Sequence, residues 1–221
     1  MAPVANCVKL PEHVRTQDAA LIEPLSCAVR GYDVLQSRLG AHVLIYGSGT
    51  MGLMMLELAK RTGAARVDVV DINTDRLATA RQLGVSASAT DADELDRPQG
   101  WDLVIDATGN AAAIQDGLDR VAKAGTFLQF GVADYATRVT IDPYRIYNQE
   151  ITITGSMAVL HSYERAADLF ATGVLDPDVF ISDRLPSTPT PRPWPSSPPA
   201  RAAKSSSHRD VSPPPARGRN N

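Results

Sequence analysis

Cysteine is scarce in this 221-residue sequence: Cys7 and Cys27 are the only two, and they form neither a disulfide framework nor a C-x-x-C zinc pattern. No apolar run approaches the length of a membrane span. The first residues, "MAPVANCVKLPEHV", lack the basic start and apolar core of a secretion signal. Charge of one sign is not in excess either, since a formal net charge of −3 gives no cue for nucleic acid or a membrane surface. These absences predict a reduced, cytoplasmic protein that engages neither nucleic acid nor membrane. What is present suits one globular domain, with hydrophobic residues at 43% and a chain long enough to bury a core.

The charge is unevenly placed. Residues 187–221 hold nine of the 16 prolines and six basic residues against one acid, Asp210, which leaves −8 on residues 1–186. That stretch has almost no large apolar residue beyond Trp194 and Val211, so it cannot bury enough to offset the entropy of ordering. It reads as a disordered end. A proline-rich ligand for a partner domain and a basic arm are its functional alternatives.

The turn Gly47-Ser48-Gly49-Thr50-Met51-Gly52 is a complete G-x-G-x-x-G. Glycines recur in many turns, so the pattern takes its meaning from context. The apolar run Val43-Leu44-Ile45-Tyr46 precedes it, and the amphipathic stretch 53–61 follows, with Gly63 as a stop. Gly47 allows the tight turn, Gly49 the close approach of a pyrophosphate, and Gly52 close packing of helix on strand. Unpaired N–H groups and the positive dipole end of the helix would face the phosphates. The next strand, 67–72, carries Asp71 about twenty residues beyond the last glycine, where a dinucleotide-binding unit places the carboxylate that grips a ribose hydroxyl.

From 41 to 186 strands and helices alternate. The pattern predicts a helix over 74–84, a buried strand over 101–109, a helix over 110–125 ending on Gly125, and strands over 126–133 and 151–157. A further helix spans 162–173, and the short run "VFISD" follows. The expected fold is α/β, a Rossmann-type doubly wound parallel sheet whose ligands sit beyond the carboxyl ends of its strands. Three strand ends, Asp106-Ala107-Thr108-Gly109, Phe130-Gly131-Val132 and Gly155-Ser156-Met157, would line one crevice.

The blocks "ALIEPLSCAVRGYDVL" (20–35), the glycine turn, "DATGN", "LQFGVA" and "ITITGSM" together resemble the zinc-dependent medium-chain alcohol dehydrogenases, most closely the polyol branch around sorbitol dehydrogenase. The resemblance covers residues 1 to about 186. It implies NAD-dependent oxidation of an alcohol or polyol and a homo-oligomer formed through the Rossmann domain. Met51, Asp71 and Arg76 fall where the cofactor's phosphates and adenosine ribose are held, and Thr108 and Gly109 join the cofactor site. Phe130, Gly131 and Val132, with Ser156, Met157 and Ala158, fall where the nicotinamide is positioned. Glu23 falls on the acid at the catalytic zinc or its bound water. Where polyol dehydrogenases often carry an arginine and a tyrosine, this chain has Ala158 and Val159.

The resemblance also implies a domain organisation. Residues 1–22 read as the end of a barrel-like catalytic domain, 23–186 as the NAD-binding domain and 187–221 as the tail. Catalytic zinc takes about three protein ligands, and Glu23 alone does not supply them. Cys7, His13, Glu23 and Cys27 lack ligand spacing, and His42 and His161 read as surface or capping residues. A truncated, catalytically impaired form that still binds NAD is therefore expected. A one-base shift in GC-rich codons for "STPTPRPWPSSPPARAAKSS" can read "LDAYPEALAVVPAGEGRKVQ", which looks like the family's ordinary ending, so the tail is expected to be out of frame. A tyrosine with a lysine four residues on, the short-chain dehydrogenase pair, is absent. A non-catalytic nucleotide-binding module and an adenosyl-dependent methyltransferase stay open. Asp71 predicts NAD over NADP, with Arg76 stacked on adenine.

Overall fold

The computed structural model describes residues 7–158 and 161–184, so the predicted tail and Val159 lie outside the described residues. Strands β1 (His42–Tyr46), β2 (Arg66–Val70), β3 (Ala87–Ala89), β4 (Trp101–Asp106), β5 (Val121–Gln129) and β6 (Thr152–Gly155) build one sheet. Every pairing is parallel, in the order β3-β2-β1-β4-β5-β6. This is the Rossmann order, with its switch point between β1 and β4. Successive strand residues point to opposite faces. Val43 and Ile45 accordingly join one core while Leu44 and Tyr46 join the other.

The first core is covered by helices α1 (Ile22–Leu35), α2 (Thr50–Arg61), α3 (Thr74–Gln82) and α6 (Tyr163–Ala171). The second is covered by α4 (Ala111–Asp119), whose Ile114 and Leu118 pack around Trp101 and Phe127. Helix starts follow local chemistry. Asn73 accepts from the N–H groups of Asp75 and Arg76, and Asn110 from those of Ala112 and Ala113. Asp142 caps α5 (Pro143–Gln149), with Pro143 in its first turn. Gly84 ends α3 at φ +80°, a conformation open to glycine. Arg165 forks onto Asp33 at 2.9 and 2.5 Å and ties α6 to α1.

Several boundaries differ from the sequence reading. The helix predicted over 110–125 ends at Asp119, and Val121–Gly125 belong to β5 instead. Val121 pairs with Trp101 and Thr126 with Leu103, so the residues between them bulge out of the ladder, with Ala124 at φ +58°. Strand β2 stops at Val70, which puts Asp71 and Ile72 in the turn beyond it. β5 stops at Gln129 and β6 at Gly155, so the crevice residues that follow are turns. "VFISD" contributes to one helical turn, α7 (Pro177–Phe180). β3 and α5 were not anticipated. Among the described residues no helix is long and apolar enough to cross a membrane.

Candidate functional site

The glycine-rich turn leaves the carboxyl end of β1 at the switch point, and its three glycines have separable jobs. Gly47 sits at φ +96°, and a Cβ there would lie 2.9 Å from Thr108 Cγ2. A Cβ on Gly52 would lie 1.8 Å from Gly47 O, so close packing of the helix start against the turn demands glycine. Gly49 has an ordinary φ of −72° and open space where its Cβ would point. Nothing in the chain requires glycine at Gly49, and its lack of a side chain keeps the cradle beside the turn open to a ligand's close approach. Gly49 caps α2 without a side-chain acceptor, and the Leu53 N–H bonds back to Gly49 O at 2.9 Å. The N–H groups of Thr50, Met51 and Gly52 are thus left at the open end of the helix.

Asp71 stands at the lip of this cradle and is buried. Its Oδ2 accepts from Ser48 N at 2.7 Å and Ser48 Oγ at 2.9 Å, and its Oδ1 accepts from Asn73 N at 2.8 Å. Burial pulls its pKa upward. The Ser48 and Asn73 donors, helped by the Arg76 charge, outweigh that pull and hold the carboxyl below the usual range. Arg76 is exposed in the first turn of α3. Ile72, beside Asp71, leaves its side chain 92% exposed.

A cavity of about 700 Å³ opens beyond β4, β5 and β6. It brings together Met51, Phe130, Gly131, Val132, Ser156, Met157 and Ala158, all anticipated from the sequence. Val132 and Met157 stand 95% and 88% exposed at its rim. Ser156 Oγ is buried without a partner, an orphan of the kind a ligand satisfies. Of the expected lining, Asp106, Thr108 and Gly109 are displaced. Asp106 lies buried beneath the cavity, and Thr108 and Gly109 spend their polar groups on it, which leaves Ala107 as the lining residue of that turn. Cys27 and Gln129 line the cavity and were missed.

Glu23 is exposed in the first turn of α1, and the Cys27 thiol, one turn on, donates to its Oε1 at 3.7 Å. The i, i+4 spacing of "EPLSC" could have placed Cys27 on that face. Burial first, then the Glu23 carboxylate, raises the pKa of the Cys27 thiol. Among the described residues no group of three or more His, Cys, Asp or Glu comes together as a metal site. Glu23 and Cys27 therefore do not by themselves fit a catalytic zinc. His42 is at the opposite, amino end of β1, and His161 is exposed ahead of α6.

Comparison with known proteins agrees with the parallel α/β fold. Residues 50–172 match the family model described as zinc-binding dehydrogenase. The chain is 33% identical over 182 residues to D-arabinitol dehydrogenase 1 of Uromyces fabae, covering 77% of this chain and 52% of that protein. It is 27% identical over 198 residues to sorbitol dehydrogenase of Bombyx mori, covering 83% and 56%. A Sinorhizobium meliloti 1021 zinc-binding dehydrogenase solved with NADP superposes with a TM-score of 0.72 at 28% identity, over 76% of this chain and 52% of that one. The chain spans about half the length of the curated relatives it matches.

Proposed function

This chain belongs to the zinc-binding dehydrogenase family, and from that premise we propose that it binds NAD and serves the cofactor side of hydride transfer from an alcohol or polyol. The observation that carries the reading is the open space at Gly49 together with a cavity that Met51, two residues on, helps to line and whose wall holds an unpartnered Ser156 hydroxyl. The N–H groups of Thr50, Met51 and Gly52 would receive the pyrophosphate, and Asp71 the adenosine ribose, with Arg76 against the adenine. Phe130, Gly131, Val132, Ser156, Met157 and Ala158 would orient the nicotinamide and keep water from its reacting face. Thr108 and Gly109 would support that wall through their bonds to Asp106. When bound, the cofactor supplies a hydride acceptor. The carboxylate of Glu23, which accepts from the cavity-lining Cys27 thiol, would face the substrate oxygen, and the described residues carry no donor set for zinc.

NAD is favoured over NADP because Asp71 is a buried carboxylate at the ribose position, where a 2′-phosphate would meet like charge. The Sinorhizobium meliloti neighbour, solved with NADP, makes this a point for measurement. Polyols are supported as substrates by relatives that act on arabinitol and sorbitol. Residues 23–186 are assigned to the dinucleotide-binding domain, and the homo-oligomer is assigned to the open edge of β6. Fluorescence titration of the purified chain with NADH and NADPH tests the cofactor reading. NADH should bind at least tenfold more tightly, on the order of one hydrogen bond to a charged group. Equal affinities, or tighter NADPH, would defeat the NAD assignment, and no binding of either would defeat the function.

A further inference from the structure

Asp106 closes β4 and is fully buried, yet among the described residues no cation pairs with it. Burying a carboxylate is costly unless donors satisfy it. Here Oδ1 accepts from Thr108 N at 3.0 Å and Thr108 Oγ1 at 2.6 Å. Oδ2 accepts from Gly109 N at 3.0 Å and Gln129 Nε2 at 2.6 Å. The main-chain oxygen of Asp106 accepts from Phe130 N at 3.0 Å and Gly131 N at 2.7 Å. Gln129 Nε2 also donates to Gly131 O at 2.7 Å. The turn after β4 and the turn after β5 therefore converge on one residue.

There is no slack between those turns. A Cβ on Gly131 would lie 2.3 Å from Gly109 N and 2.8 Å from Asp106 Oδ2, and one on Gly109 would lie 2.1 Å from Val132 O. The two glycines let the turns touch, and the carboxylate clamps them. Ala107, Gln129, Phe130, Gly131 and Val132 of the clamped segments line the cavity, whereas Asp106 does not. The Ser48–Asp71 bonds beside the Gly49 cradle share none of these hydrogen bonds. Thr108 Cγ2 packs beside Gly47 of the glycine turn, a contact that Thr108→Val keeps.

We propose that Asp106 is a positioning residue for the nicotinamide half of the dinucleotide: it sets the spacing of the two turns without touching the ligand. The inference rests on the dinucleotide reading above. In Asp106→Asn an N–H would replace an acceptor facing only donors, and the turns would part. Binding of the adenosine half should be indifferent to this.

The experiment compares NADH with ADP-ribose, which lacks the nicotinamide, on the full chain and on Asp106→Asn and Thr108→Val. Thr108→Val deletes the 2.6 Å bond to Asp106, and with it the 2.9 Å bond from Asn110 N, with no side chain lining the cavity. Expected are a rise of about tenfold in the NADH Kd for Asp106→Asn and about threefold for Thr108→Val, with reduced enhancement of bound-NADH emission. The ADP-ribose Kd should stay within about twofold in both. Equal weakening of both ligands, or unchanged NADH binding, overturns the proposal. Should Asp106→Asn fail to fold, Thr108→Val decides by the same two affinities. A parent chain that binds ADP-ribose but not NADH overturns this inference alone, and one that binds neither overturns the underlying function as well.

Discussion

Gly49 and Gly52 stand three residues apart and are glycine for opposite reasons. An alanine at Gly52 would drive its Cβ to 1.8 Å from Gly47 O, a backbone atom that cannot swing aside. Gly52→Ala should therefore lower stability by about 1–3 kcal/mol or more, the range for overpacking. Gly49→Ala meets nothing within 4 Å and should unfold within a degree or two of the parent, yet lose NADH binding because the methyl occupies the phosphate cradle. Thermal unfolding read beside NADH titration separates the two; a Gly49→Ala chain that binds NADH normally would refute the cradle. Asp71 gives a second residue-scale test. Its pKa is lowered in the folded chain, as is that of Asp33 through its hydrogen bond to Arg165. A depressed folded pKa means that the stability contribution is complete above the unfolded value, ordinarily about 3.9 for Asp, and is lost as pH falls through the folded value. The unfolding midpoint should drop as pH is lowered from about 5 to about 2, and Asp71→Asn should flatten that slope. Parallel slopes would show that Asp71 carries no such linkage. The position of Asp71 was legible from its spacing to the glycines. The Ser48 hydroxyl that holds it was not, because a hydroxyl rotor takes its partner from the fold and leaves no periodic trace.

At the scale of elements, the glycine turn, α2, β1 and β4 were legible because hydrophobic period, glycine and cap signals agree there. The end of α4 was not. Ile114, Leu118 and Val121 recur at intervals of four and three, the helical repeat, and all three are buried in one core. The repeat continues by coincidence across Arg120, since Val121 reaches that core as the first residue of β5. α5 did have a signal, the Asp142-Pro143 pair of cap and first-turn proline. The two readings of 120–125 differ in the sign of one substitution. Within a plain helix, Ala124→Gly would cost about 1 kcal/mol. In the bulged strand Ala124 sits at φ +58°, a conformation that glycine adopts without the Cβ penalty. A gain of about 0.5–1 kcal/mol is expected in urea denaturation, and a loss would restore the helix reading.

For the whole molecule the sheet order follows from the alternation of elements, but which edge stays open is a property of the assembled sheet. β3 is three residues long, whereas β6 has β5 as its one strand partner among the described residues. β6 leaves Thr152, Ile153 and Gly155 exposed, with Tyr144 and Tyr147 bare on α5, the helix that precedes it. An open edge with apolar side chains invites pairing with another chain. A second copy meeting edge to edge would continue the sheet through a two-fold axis, since the same strand serves both partners. The chain should therefore scatter light as a multiple of its 23.7 kDa mass at tens of micromolar. Ile153→Lys should shift it to the monomer, because a lysine on an edge strand blocks such pairing. NADH affinity should survive the substitution, since Ile153 does not line the cavity at the carboxyl ends of the strands. A parent chain that is monomeric across that range, or an Ile153→Lys chain that stays oligomeric, would remove the β6 edge as the interface.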